Sequence, residues 1–282
     1  MKSNEVDLHI HSYYSDGVLT PKEILEEALK KRLKVISIAD HNILKGTQEL
    51  INIQSQYQEI QIIPGVEIDV LEGEINYHIL AYGFDIQNTG FSKFISYVFD
   101  IKESININLI RILEKKYPNI VSLQEYLNYD YNRSEGYWKA LHYFRYKGLI
   151  ENLKDGKNFY TEYGPFDTEG MLPSIQETCR QIHESGGVAI LAHPGKVLKS
   201  YTLEEFEIEV RIIIGKGIDG IECYYPSHSE EIVNKCIEIC NSENLQITAG
   251  SDFHRNNGKR IIGCNNSKLG IINFNAIEQE EY

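Results

Sequence analysis

The sequence is poor in the residues that stiffen or staple a chain. It has five cysteines, seven prolines and one tryptophan in 282 residues. The cysteines (Cys179, Cys223, Cys236, Cys240, Cys264) are scattered and odd in number, and Cys236 and Cys240 stand four apart rather than in a Cys-x-x-Cys array. That excludes a disulfide scaffold and a cysteine zinc site, and it points to reduced thiols in the cytosol. No apolar run approaches the roughly 20 residues that span a bilayer. The first residues, Met-Lys-Ser-Asn-Glu-Val-Asp, contain no apolar signal-peptide core, so a cytoplasmic location is expected. Basic residues are also scarce, 28 against 41 acidic, a formal net charge of −13. A broad basic surface for coating duplex nucleic acid is therefore excluded. A phosphorylated substrate is not, because bound divalent cations offset carboxylates locally. No Walker-type or Rossmann fingerprint is present, and Gly186-Gly187 reads as a helix stop.

Polar residues of metal-binding type are well represented and sit at particular places. Val6-Asp7-Leu8-His9-Ile10-His11 alternates with period two, so Asp7, His9 and His11 share one strand face. Two imidazoles so placed can hold one ion through neutral nitrogens. Ser15-Asp16-Gly17, Ala39-Asp40-His41-Asn42, Gly65-Val66-Glu67, His78, Ala192-His193-Pro194-Gly195 and Ser251-Asp252-Phe253-His254 also end or occupy strand-like runs. A lone His-x-His reads equally well as a solvated strand face; the set together reads as a multinuclear metal site.

Strands and helices alternate along the chain. Pro21 to Lys31 reads as a helix capped by Thr20, with Glu23 three residues on. A strand over Val35 to Ala39, a helix from about Lys45 to Tyr57 and a strand over Ile60 to Glu67 follow. A strand pair then turns at Glu72-Gly73-Glu74 and carries His78. From Phe91 the period becomes helical and tyrosine-rich. The reading is a helical insertion, or lid, over residues 92–170 between barrel segments 1–91 and 171–282. Helix–strand order resumes from Leu172, and strands over Val188 to Ala192, Ile218 to Glu222 and Leu245 to Ala249 follow. This order predicts an α/β fold with a largely parallel sheet. Reactive groups of such barrels gather at the strand C-termini.

The motifs D-L-H-I-H, S-D-G, A-D-H-N, G-V-E-I, the mid-strand His78, A-H-P-G and S-D-F-H occur in an order that resembles the PHP (polymerase and histidinol phosphatase) family. The resemblance covers about residues 5–85 and 172–260, and is nearest to stand-alone members that act on nucleotides or on RNA 5′ ends. It implies a distorted (β/α)7 barrel with two to three divalent ions. On it, His9, His11, Glu67 and Asp252 hold one ion. Glu67 bridges to a second, held also by His78 and His193. Asp16, His41 and His254 hold a third. Mixed nitrogen and oxygen ligation suits Zn, Mn or Fe.

The implied reaction is hydrolysis of a nucleotide phosphomonoester: a nucleoside monophosphate, a 3′,5′-bisphosphate or an RNA 5′ end. Two ions roughly 3.5–4 Å apart can generate a bridging hydroxide. Glu67, Asp252 and His254 are the catalytic candidates, with Asp252 or a nearby histidine passing a proton to the leaving oxygen. Alternatives are a histidinol-phosphate-type phosphatase, an amidohydrolase and a non-catalytic metal module. Many amidohydrolases bridge their ions with a carboxylated lysine, where this chain has Glu67.

The remaining candidates have two readings each. Asp7 and Asp40 orient ligand histidines or cap turns. Glu222 supports a ligand or touches substrate. His228 starts a helix or meets a phosphate. His142 and His183 fall on helices and read as structural or solvated. Arg133, Arg145 and Lys196, with Lys139 and Lys147, are candidate phosphate contacts that singly also read as surface charges. Trp138 is either insertion core or a base-stacking platform. No partner protein is indicated.

Overall fold

The computed structural model describes residues 5–164, 172–256 and 260–263. The expected end of the insertion near Gly170 and Cys264 lie outside the described residues.

The chain opens with strand β1 (Val6–Ile10), buried along its whole length. Helix α1 (Pro21–Lys30) starts on the expected capping box: the Thr20 hydroxyl accepts from Glu23 N–H and the Glu23 carboxylate accepts from Thr20 N–H. Strand β2 (Val35–Ile38), helix α2 (Lys45–Ile53) and the two-residue β3 (Gln61–Ile62) follow. β1, β2 and β3 form a parallel three-stranded sheet.

The strand expected over Ile60 to Glu67 is two strands. Pro64 lacks an N–H and interrupts the ladder, and β4 begins anew at Gly65 (Gly65–Glu72). Glu67 is therefore the third residue of a strand rather than the last. β4 pairs antiparallel with β5 (Ile75–Tyr82) through a hairpin whose Gly73 has φ +57°. β5 pairs antiparallel with β6 (Val188–Leu191), and β7 (Gly220–Tyr224) and β8 (Gln246–Ala249) continue in parallel. Among the described residues eight strands thus form two sheets, β1-β2-β3 and β4-β5-β6-β7-β8, where a distorted (β/α)7 barrel is expected. Isolated bridges join them, Ile10 to Phe253 and His41 to Glu67. Both bridges fall among the metal-type residues, so the sheets meet where the site is.

Helix α3 (Thr89–Lys116) buries Phe91, Ile95, Val98 and Ile101 near its start and Leu109, Ile110 and Leu113 near its end. Phe91, Ile95 and Val98 pack on the five-stranded sheet, and the second set lies in a separate cluster with Tyr126, Leu141, Tyr143 and Phe144. That cluster is built with α4 (Leu123–Asn128), α5 (Lys139–Tyr146) and α6 (Lys157–Tyr163). Helices α7 (Ile175–Glu184), α8 (Pro194–Val197), α9 (Leu203–Ile214) and α10 (Glu230–Glu243) return to the sheet. Cys179, Cys223, Cys236 and Cys240 are buried free thiols. Among the described residues no helix is long and apolar enough to cross a membrane.

Candidate metal centre

Period-two alternation on β1 sends His9 and His11 to the same side, and both are fully buried. Their Nε2 atoms approach to 3.1 Å. Glu67 Oε2 lies 3.3 Å from each, and Asp252 Oδ1 lies 3.8 Å from His9 Nε2 and 3.3 Å from His11 Nε2. A tetrahedral site with bonds of roughly 2.0–2.1 Å has ligand–ligand edges near 3.3 Å, so these four side chains fit a metal ion. Glu67 Oε1 lies 2.7 Å from His78 Nδ1 and 3.0 Å from His193 Nε2, and Oε2 lies 3.2 Å from His41 Nε2. Asp16 Oδ2 is 3.2 Å from His254 Nε2, and Asp16 with His11, His41 and His254 forms a further cluster. Buried Glu67 Oε2, His11 Nδ1, His41 Nδ1 and His193 Nδ1 have no hydrogen-bond partner. Unmade bonds to buried polar atoms are costly, and inward-facing acceptors left unpartnered are what a cation would satisfy.

The electrostatics agree. Burial works against charging these imidazoles. Against that burial, the Glu222 and Glu67 carboxylates raise His9 well above the usual range, Asp252 and Glu67 bring His11 to about 9, and Glu67 and Asp69 bring His78 to about 9. Burial dominates at His41 and His193, which fall to about 4. Protons hold the carboxylates together in the absence of metal.

The surrounding shell resolves several double readings. Glu222 is fully buried; its Oε1 is 2.9 Å from His9 Nδ1 and its Oε2 accepts His193 N–H at 2.9 Å. It orients the His9 imidazole and holds the backbone at His193. Asp40 accepts from Ser12 N–H and from the Ser12 and Ser15 hydroxyls, fixing the loop after β1. Asp7 accepts from Ser251 N–H and Gly263 N–H, and burial pushes its carboxyl up to about 6. Gly250 lets the strand after β8 pass close to β1: a Cβ there would meet His9 Cβ at 2.2 Å. Asn42, His193 and Asp252 all have left-handed backbones, φ +53°, +31° and +51°. Such residues cost of order 1–3 kcal/mol each and gather where function over-determines the backbone.

Three expectations change on inspection. His228 has both ring nitrogens taken by backbone, Nε2 accepting from Gly195 N–H at 3.1 Å and Nδ1 against Cys223 O at 3.0 Å. It braces the turn after His193. Arg145 is paired with Glu135 at 2.5 Å and lines none of the cavities described below. Arg133 stacks on Tyr131 and lines an outer cavity of about 630 Å³ rather than the metal cleft. Asp252 Oδ2 receives the Tyr225 hydroxyl, Lys196 and Arg260, while His254 and His11 face Oδ1. Burial opposes its charge, yet His254, His11, His9 and Lys196 hold the carboxyl well below the usual range.

Lys196 and Trp138 do reach the site. A cleft of about 540 Å³ is lined by Asp16, His41, His78 and His254 together with Trp138, Lys196, Arg255 and Arg260. The Trp138 ring is 5.7 Å from that of His41. Arg255, Arg260, Tyr225, Asp69 and Lys102 were not singled out from sequence. Asp69 is two residues beyond Glu67 on the same strand face, a spacing that could have flagged it. It lies 3.3 Å from His78 Nε2 and is bound by Lys102 at 3.0 Å and by Asn42. His142 bonds Gly136 O, and His183 pairs with Asp219, both outside the cluster.

Comparison with known proteins agrees with this geometry. The chain is 26% identical over 261 residues to a 5′-3′ exoribonuclease of Haemophilus influenzae, covering 89% of this chain and 90% of that one. It is 26% identical over 266 residues to a 3′,5′-nucleoside bisphosphate phosphatase of Chromobacterium violaceum, covering 92% and 90%. A solved structure from Bifidobacterium adolescentis shares the fold with a TM-score of 0.72 at 22% identity, covering 92% of this chain and 91% of that one. The family model for the PHP domain matches residues 7–184, which include six of the nine clustered side chains. The histidine and carboxylate cluster at the junction of the two sheets is thus the centre of a PHP domain, and the chain belongs to that family.

Proposed function

We propose that the protein is a metal-dependent phosphoesterase that hydrolyses a nucleotide phosphomonoester or trims an RNA 5′ end. The observation that carries this reading is the sharing of one cleft by the Glu67-centred cluster, five basic side chains and an indole. His9, His11, Glu67 and Asp252 would hold one ion, Glu67, His78 and His193 a second, and Asp16, His41 and His254 a third. Divalent ions in such a site supply Lewis acidity toward a phosphoryl group and acidify water.

The chain's own residues do the rest. Lys196, Arg255 and Arg260 line the cleft and bring positive charge to an acidic protein where a phosphate must dock. Arg255 is fixed over the Tyr137 ring at 3.6 Å, and Arg260 donates to Asp252 and to the Tyr225 hydroxyl. Asp252 stays ionised and serves as an anchor for ions and cations. Glu222 keeps His9 turned toward the ion through its Nδ1 contact, which fixes the ring orientation. The helical insertion acts as the lid, with Trp138 at its contact with the cleft.

Phosphate release from a panel of phosphomonoesters after reconstitution with Zn, Mn or Fe tests the reading. Turnover of nucleoside monophosphates, 3′,5′-bisphosphates or 5′-phosphorylated oligoribonucleotides above histidinol phosphate is expected. Preference for histidinol phosphate would contradict the substrate, and hydrolysis confined to amides or cyclic imides would contradict the reaction.

A further inference from the structure

Resting on the nucleotide reading above, we infer that a chamber beside the metal cleft holds the substrate's base and selects guanine through Glu103. The chamber has a volume of about 320 Å³ and is walled by Phe99, Ile105, Trp138 and Leu141, with Glu103, Asn106, Lys102 and Lys157 among its polar groups. His41, Lys102, Trp138 and Lys157 line both chamber and cleft, so the two are adjoining compartments with common walls. A phosphate in the cleft and a base in the chamber then belong to one molecule. Flat aromatic walls suit the faces of a purine whatever its identity.

Identity is read at the edge. Glu103 is held by two donors: the Tyr126 hydroxyl reaches Oε1 at 2.8 Å and Asn106 Nδ2 reaches Oε2 at 3.3 Å. Asn106 is itself oriented by the Tyr160 hydroxyl, which donates to its Oδ1 at 2.5 Å. Each carboxylate oxygen keeps further acceptor capacity. Among the described residues no lysine, arginine or histidine forms an ion pair with Glu103, although its neighbour Lys102 is committed to Asp69. A pre-aimed carboxylate without a cation, in a largely apolar chamber, calls for a ligand with paired donors. Guanine presents N1–H and N2–H side by side. Adenine and cytosine each offer one amino donor beside a ring acceptor, and uracil one N–H between two carbonyls. A site built to receive two donors discriminates against bases that lack one.

Two readouts test this. Trp138 is the single tryptophan, so its emission reports occupancy of the chamber without catalysis. Guanosine is expected to quench it saturably and to bind about tenfold more tightly than adenosine. In the reconstituted enzyme kcat/KM for GMP is expected to exceed that for AMP by about tenfold. Glu103→Gln replaces one acceptor with a donor and should bring that ratio to about one or invert it toward AMP. The ratio is the readout, whatever the overall rate. Equal turnover of GMP, AMP, CMP and UMP, or a GMP preference untouched by Glu103→Gln, would overturn guanine selection and leave the nucleotide reading standing. Turnover of other phosphomonoesters with none of any nucleotide would overturn both. If Glu103→Gln fails to fold, the wild-type nucleoside and nucleotide ratios decide alone.

Discussion

The strand ends and the helical segment packed beside them treat polar side chains in different ways. In the helical segment each is matched internally: Tyr126 with Glu103, the Tyr143 hydroxyl with Ser122, Lys147 with Glu125, Arg145 with Glu135. Around them an apolar cluster of Leu109, Ile110, Leu113 and Phe144 supplies the packing. At the strand ends, histidines and carboxylates face one another, and Glu67 Oε2 and three imidazole nitrogens have no partner. The helical segment's side chains partner one another; the strand ends leave a buried carboxylate oxygen among histidine nitrogens, where a cation would sit.

The sharpest way to break this contrast is Glu67→Gln, which removes the charge shared by the two inner clusters. Activity should fall by at least about three orders of magnitude, equivalent to roughly 4 kcal/mol of barrier. Metal content should fall with it. Activity within tenfold of wild type would mean that Glu67 only packs the junction. Next in size is Glu222→Gln, which changes what His9 and His193 are held by while leaving the ligand set intact. A loss of about 10–100-fold in metal affinity or turnover is expected, measured by competition with a chelating dye. An unchanged affinity would return Glu222 to a structural role.

The pH dependence is a subtler test. His11 and His78 are raised to about 9 in the metal-free protein, against the pull of burial. A histidine with a raised folded pKa contributes stability that is complete below about 6.5 and is lost as pH rises through the folded value. Thermal melts without metal should therefore show Tm declining between about pH 6.5 and 9. Bound metal displaces those protons, so the Tm gained on adding Zn or Mn should grow over the same interval. A gain that shrinks with rising pH would contradict this. The smallest effect belongs to Arg145→Ala: an exposed pair of this kind contributes about 0–1 kcal/mol. Its kcat/KM should stay within about twofold of wild type, and a larger loss would restore Arg145 as a substrate contact.

The two regions also differ in how much of them can be read from sequence. Strand alternation assigns a side chain to a face from its number alone, so His9, His11 and the strand-end motifs could be placed before any coordinates. Asp69 escaped because the third strand was taken to end at Glu67, when Pro64 in fact starts a new strand there. Arg255 and Arg260 follow β8 in irregular chain, where no period says which way a side chain points. His228 and Arg145 could not be placed for a related reason: a long or ring side chain near a turn chooses among local partners, here Gly195 N–H and Glu135. The Glu72-Gly73-Glu74 turn marks the β4–β5 pair, but the two-sheet arrangement was hidden because antiparallel pairing of β5 with the distant β6 leaves no mark in a run of apolar residues.

The central claim is that the convergent acceptors at the sheet junction hold metal, and elemental analysis tests it most directly. The protein would be analysed as purified and again after reconstitution with Zn, Mn or Fe, beside Glu67→Gln treated identically. Two to three equivalents per chain in the wild type, with clear loss in the variant, is the predicted result. No bound metal even after reconstitution, or equal content in both proteins, would contradict it.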